Sequence, residues 1–291
     1  MDIKTLVKDM YNVIEDKGGW TEVVNEHFAK EMGSIMLSRL AGPEQPRGNL
    51  RLSGMGKPCP RQLWYNVNAP DKAEYLAPNV RLKFLYGDIL EVLLLSLAKA
   101  AGHDVWGEQD TVEVCGIKGH RDAIIDGVTI DVKSASSFSF QKFKKGLLRE
   151  DDPFGYISQL SSYVYAARDE QGVDPRHGGF LVIDKVTGGL CLDVYNLKKE
   201  VKAKEKEMEA KKKMVAGKIP DRSFEPVPQT KTSPNTKLDF QCSYCPFKAD
   251  CWPEARKFIY SYGPQWLVEV ETEPKVMEDL DWRENDNSKV V

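Results

Sequence analysis

Two aspartates and a lysine are the first residues in this chain whose spacing suggests chemistry. In "GHRDAIIDGVTIDVKSAS", residues 119–136, Asp126-Gly127 separates two apolar runs. A two-residue Asp-Gly loop favours a hairpin whose central residues take positive φ. That turn sets Ile125 opposite Val128, Ile124 opposite Thr129, Ala123 opposite Ile130 and Asp122 opposite Asp131. Side chains alternate along a strand, so Asp122, Asp131 and Lys133 share one face. Like charges facing each other across a strand pair are destabilising. A divalent cation that prefers hard oxygen ligands, Mg²⁺ or Mn²⁺, would compensate, with Lys133 adding a positive group nearby. A solvated, charged hairpin tip is the other reading of this stretch taken alone.

A second group is "FQCSYCPFKADCW", Phe240 to Trp252, with Cys242, Cys245 and Cys251. Three thiolates so close together read as metal ligands, but three do not complete a tetrahedral site. Cys-x2-Cys points first to zinc, which usually takes two close pairs, and no second pair exists here. Iron–sulfur clusters use four thiolates, and a Cys-Pro step recurs in one of their ligand runs; Cys59-Pro60 and Cys245-Pro246 both fit. Cys115 and Cys191 lie in apolar, strand-like contexts and read as core thiols.

The elements that would position these groups follow from periodicity. Residues 81–101 read as a helix ending at Gly102, with Phe84, Gly87, Glu91, Leu94, Leu95 and Ala98 on one stripe. Glu91 then lies in an apolar face, which is costly for a carboxylate unless it is paired or binds a metal. Gly87, one turn earlier, would admit a second backbone. Strands are expected at 110–115, 119–125 and 128–134, a helix at 154–168, strands at 178–185 and 190–195, and a helix at 197–216. In "QLSSYVYAA", Gln159 and Tyr163 fall at i and i+4 on one helical face. Residues 1–32 read as two helices broken at Gly18-Gly19, and 41–58 as a linker. The "SGMGKP" within that linker lacks the spacer and hydroxyl residue of a phosphate loop. The fold class is α/β with a mixed sheet.

The 291 residues suffice for one large domain with appendages. A net charge of −3, from 41 Lys and Arg against 44 Asp and Glu, excludes a uniformly basic nucleic-acid coat. Charge is local instead: residues 198–213 hold eight Lys against four Glu, and 269–291 hold eight acidic against three basic residues. The apolar run "ILEVLLLSLAKAAG" is too short to span a bilayer, and no export signal opens the chain. A cytoplasmic protein is expected, in which cysteines serve more often as ligands or buried thiols than as disulfides. The tail from 269 is poor in apolar residues and reads as a disordered or docking segment.

The order Gly87-x3-Glu91, Asp122, Asp131-x-Lys133, Gln159-x3-Tyr163 resembles the PD-(D/E)xK nuclease superfamily, and more narrowly its RecB-like members. Cys59 in "KPCPRQLWY" precedes that core, and three cysteines follow it. This arrangement is similar to the iron–sulfur branch that includes the AddB nuclease domain and the CRISPR-associated RecB-like exonucleases. The resemblance covers about residues 52–258. Many relatives carry His where this chain has Glu91, so metal preference is open.

The resemblance implies a restriction-endonuclease-like core at 51–268, an N-terminal helical extension at 1–50 and the acidic tail at 269–291. It implies that Glu91, Asp122 and Asp131, with the Val132 carbonyl, hold Mg²⁺ or Mn²⁺. Lys133 would orient the attacking water, and Gln159 and Tyr163 would position strand or water. Cys59, Cys242, Cys245 and Cys251 would hold a [4Fe–4S] cluster, with zinc as the alternative. That cluster would staple the segment before the core to the segment after it. Arg61 would anchor DNA near the cluster.

Lys142, Lys144, Lys145 and Arg149, with Phe138, Phe140 and Phe143 interleaved, suit a single strand stacking on aromatics. The expected activity is a metal-dependent DNA exonuclease acting on single strands or free ends in replication, recombination or repair. It would work alone or with a protein partner docked through the acidic tail, in the host cytoplasm if the source is viral. A structure-specific endonuclease and a non-catalytic iron–sulfur DNA-binding module are the alternatives.

Overall fold

The computed structural model describes residues 1–15, 17–40, 48–74 and 77–283. Its helices are α1 (Leu6–Ile14), α2 (Glu22–Leu40), α3 (Pro60–Asn68), α4 (Pro78–Ala100), α5 (Ser137–Lys144), α6 (Tyr156–Ala167), α7 (Lys198–Val215), α8 (Phe240–Ser243) and α9 (Lys248–Cys251). Its strands are β1 (Val105–Trp106), β2 (Thr111–Val114), β3 (Ile117–His120), β4 (Ala123–Ile125), β5 (Val128–Ala135), β6 (His177–Asp184), β7 (Leu190–Asn196), β8 (Val227–Pro228), β9 (Thr236–Lys237), β10 (Arg256–Tyr260), β11 (Gly263–Leu267) and β12 (Met277–Asp279). The chain forms two compact units. One is built mainly from residues 1–56 and 78–210, the other from 57–77 and 211 onward.

The first unit is α/β, around a mixed five-stranded sheet in the order β1-β4-β5-β6-β7. Only β5 and β6 run parallel; the other neighbours are antiparallel. Parallel neighbours need a long crossover, and here it carries α5 and α6. Alternation along β5 divides the layers. Ile130 and Val132 join Leu6, Met10, Leu94, Leu95 and Ala98 in a core formed with α1 and α4. Ala135, Phe180 and Val182 pack against Phe140, Phe143, Leu160 and Val164 of α5 and α6. Asp131 and Lys133 alternate with the first set and so belong to the α6 side of the sheet.

The expected extension at 1–50 is in part integral to this unit, because Leu6 and Met10 are fully buried in the α1–α4 core. The second expected helix is longer than predicted and runs to Leu40. Residues 41–47 of the expected linker lie outside the described residues. The rest of it is not a linker: Leu52 and Met55 are fully buried with Ile117, Tyr163 and Met208. The single strand expected at 119–125 is two strands. The β2–β3 hairpin turns at Cys115 and Gly116, with φ of 52° and 73°, so Cys115 is a turn residue, half-buried against the Leu52–Ile117 core cluster. Cys191 is buried in β7, as expected.

The second unit holds an antiparallel sheet, β12-β10-β11-β9-β8, which the composition of this region did not reveal. The tail expected to be disordered from 269 is instead structured through residue 283. Met277–Asp279 pairs with β10, and its acidic residues meet basic partners there. Arg256 bonds Glu278 and Glu273, and Lys257 bonds Asp279 at 2.8 Å. Trp282 packs edge-on against Trp266. A charge count cannot register such pairing. Residues 284–291 lie outside the described residues.

Candidate active site and cysteine pocket

The Asp126-Gly127 turn forms as read from the sequence, with φ of 47° and 77°. Its register is Ile125–Val128, Ile124–Thr129 and Ala123–Ile130. The ladder ends there, and the Asp122 side chain takes over: Oδ2 accepts the Val132 N–H at 2.7 Å. The other end of the hairpin is also secured. Asp126 Oδ2 bonds His103 Nδ1 at 2.6 Å, and Asp126 Oδ1 accepts the Asp104 N–H.

Glu91, Asp122, Asp131 and Lys133 interact electrostatically as one group. Burial pushes the Glu91 carboxyl up to about 7, opposed by a hydrogen bond from Gln109 and reinforced by the charges of Asp131 and Asp88. Asp122 is also raised well above the carboxylate range, by burial and then by Asp131 and Glu91. Burial alone would lower the Lys133 ammonium, but Asp131 and Asp122 outweigh it and hold the lysine charged. Lys133 pairs with Asp131 Oδ2 and lies 5.3 Å from the Tyr156 ring centre.

Helix α6 supplies the remaining predicted residues. Gln159 Nε2 donates to Asp131 Oδ1 at 3.3 Å. The Tyr163 phenol, 5% exposed, is raised by burial and then by Asp131 and Asp122. All six side chains predicted for catalysis therefore belong to one neighbourhood of the first unit.

Gln109 and Tyr156 are additions that the sequence did not suggest. Gln109 sits at φ 54°, its amide donates to Glu91 Oε1, and its N–H bonds the Asp122 carbonyl at 3.4 Å. Gln109 is the third residue of a turn closed by the Asp110 N–H to the Gly107 carbonyl at 3.3 Å, where Gly or Asn is the usual choice for positive φ, so its residue type leaves no sequence signal. Along the predicted α4 stripe, Leu94, Leu95 and Ala98 are buried, but Phe84 is 49% exposed. No described atom lies within 4 Å of a Cβ built on Gly87, so no protein backbone approaches it.

In the second unit Cys59, Cys242, Cys245 and Cys251 line one cavity, together with Arg61, Phe247 and Trp252. Cys59 caps α3, its Sγ accepting the Gln62 N–H at 3.4 Å, with Pro60 opening the helix. Burial pushes Cys242 up to about 11 and Cys245 up to about 12, with neighbouring cysteines contributing. Cys251 is also raised by burial, against the pull of Arg61 and Arg222. Cys242, Cys245 and Cys251, half-buried thiols held protonated beside Cys59, are a donor set that a cationic centre would stabilise as thiolates. Cysteine thiolates are the donor type that an S₄ site uses. Among the described residues, no group of three or more His, Cys, Asp or Glu side chains is arranged so as to hold a metal ion.

The predicted DNA-contacting residues are divided in their roles. Arg61 donates to the Pro220 carbonyl at 2.7 Å, within the second unit. Lys142 pairs with Asp151, and Arg149 with Glu200 and the Asn196 carbonyl. Lys144 and Lys145 are exposed. Phe140 and Phe143 are core residues, which leaves Phe138, 77% exposed, as the aromatic of that group accessible for stacking. No helix among the described residues is long and apolar enough to cross a membrane.

No protein-family model matches the chain, and no curated protein matches it. Among solved structures, the crystal structure of SSO0001 is similar over 78% of this chain and 96% of that one, with a TM-score of 0.42 and 18% identity.

Proposed function

We propose that this chain is a metal-dependent deoxyribonuclease with a restriction-endonuclease-like, RecB-like core. It would act mainly as an exonuclease on single-stranded DNA or free ends. The observation that carries the reading is the convergence of Glu91, Asp122 and Asp131 around Lys133, with burial raising the proton affinity of Glu91 and Asp122. Such crowding of like charge destabilises a fold unless a ligand answers it. The residues present fit Mg²⁺ or Mn²⁺: oxygen donors from Glu91, Asp122 and Asp131, completed by the Val132 carbonyl.

A bound divalent cation would supply Lewis acidity toward a phosphate and lower the pKa of a water. The protein's own groups do the rest. Lys133 stays an ammonium, positioned to donate to an attacking water and to stabilise negative charge. Gln159 fixes one Asp131 oxygen, and Tyr163 stays protonated as a hydrogen-bond donor. Cys59, Cys242, Cys245 and Cys251 would hold a [4Fe–4S] cluster, tying the residues before the nuclease core to those after it. Their softness suits iron–sulfur or zinc, and the absence of a second close cysteine pair favours iron–sulfur.

The test is cleavage of linear end-labelled and circular single-stranded DNA with Mg²⁺ or Mn²⁺, alongside Asp131→Ala. Loss of linear DNA alone, abolished by the variant, supports an exonuclease. Cutting of circles assigns an endonuclease instead. Binding without cutting of either assigns a non-catalytic module.

A further inference from the structure

Gly87 occupies the interior of a 23-residue helix, where glycine is among the least favourable residues. Some glycines of this unit have packing reasons, whereas Gly33, inside α2, has none among the described residues. A Cβ at Gly119 would meet Leu52 at 2.7 Å, and one at Gly178 would meet Val164 at 2.7 Å. Gly87 has no such neighbour among the described residues. Its surroundings along α4 form a graded stripe. Lys83 and Phe84 are exposed, Gly87 is bare, Glu91 is half-buried, and Leu94 and Leu95 are core. Phe84 precedes Glu91 by seven residues, two turns, or about 10 Å along the axis. Asp88, which would repel a phosphate here, is covered by Arg39 through two hydrogen bonds, one of 3.0 Å.

We propose that Lys83, Phe84 and Gly87 form a track by which an unpaired nucleotide strand reaches Glu91, with a base stacked on Phe84 and the sugar-phosphate backbone passing over Gly87. The inference rests on the nuclease reading and locates its substrate. An exposed ring gives a face on which any base can stack, Lys83 supplies charge for a phosphate, and a missing side chain lets a backbone lie close to the helix. A duplex end, whose terminal base remains paired, cannot use the track.

The 291-residue chain, Gly87→Ala, Phe84→Ala and Phe84→Trp are compared for melting temperature and for KM on end-labelled oligothymidylate with Mn²⁺. Affinity for the same oligonucleotide and for a blunt duplex is measured in an Asp131→Asn background. Gly87→Ala is expected to melt higher than wild type yet bind the single strand roughly tenfold more weakly. Phe84→Ala is expected to lose affinity about tenfold, with Phe84→Trp restoring it and duplex binding unchanged. If Gly87→Ala and Phe84→Ala keep wild-type KM and affinity, the track is refuted while wild-type cleavage leaves the nuclease reading standing. A wild type that neither binds nor cuts DNA overturns both.

Discussion

Glu91→Gln is expected to make the metal-free protein more stable while removing its activity. Folding raises the Glu91 carboxyl from 4.5 to about 7, mainly through burial. Between those values the folded protein holds a proton that the unfolded chain has released, so stability falls as pH rises through that window. The full difference corresponds to about 3 kcal/mol at pH above 7, and little of it is present near pH 5. Glutamine preserves the shape and can still accept the Gln109 amide hydrogen bond, but it carries no charge to bury. Urea unfolding of wild type and variant in EDTA should therefore give similar stabilities near pH 5. At pH 8 the variant should lead by about 3 kcal/mol, since Asp122 loses a like-charged neighbour as well. Adding Mn²⁺ at pH 8 should reverse the order, stabilising wild type more strongly because binding to the native state adds to its stability. A stability difference that stays flat from pH 5 to 8 would refute the crowded-carboxylate argument, whatever the activity of the variant.

Three further outcomes follow from the same structure. On the proposed iron–sulfur reading, the wild type should show visible cluster absorbance, and Cys245→Ala should lose it and lower the melting temperature by several degrees; full thermal stability without that absorbance would leave the cysteine pocket without a structural role. Gln109→Ala should weaken Mn²⁺ binding about tenfold by calorimetry, because its amide holds Glu91, and unchanged affinity would exclude it as a positioning residue. Phe143→Ala should destabilise by about 3–5 kcal/mol as a core truncation, whereas Phe138→Ala should stay within about 0.5 kcal/mol; equal effects in denaturant unfolding would contradict the core assignment.

The candidate site was more legible in the sequence than much of the fold around it, for reasons that particular residues make plain. Asp126-Gly127 is a two-residue turn, and such a turn specifies the register of the residues beside it, here as far as Ala123–Ile130. Asp122 and Asp131 could therefore be placed on one face without knowledge of the remaining chain. The α4 helix was readable because Phe84, Gly87, Glu91, Leu94, Leu95 and Ala98 recur at helical spacing over about four turns. Phe140 and Phe143 were misread because aromatics interleaved with lysines look the same on a helix whether they face solvent or core. Only the neighbours Phe180 and Leu160 decide the matter, and they are distant in sequence. The β10–β12 pairing was hidden likewise. Its charges are balanced across strands rather than along them, and the neighbouring β10–β11 turn is Ser261-Tyr262, which holds no glycine.

The end of the β4–β5 ladder explains why the carboxylates are held so closely despite their repulsion. Backbone pairing stops at Ala123–Ile130, which leaves the Val132 N–H in need of an acceptor inside the protein. Asp122 Oδ2 supplies it at 2.7 Å. Releasing Asp122 to escape the charge of Asp131 would orphan a buried backbone donor, at a cost of about 1–3 kcal/mol. Asp131 is tied in turn by Gln159 and Lys133, and Glu91 by Gln109. Each carboxylate thus has a bond that separation would break, and these bonds together set a floor under the repulsion. If the proposed cation binds, it meets anions already anchored to the backbone and to neighbouring amides.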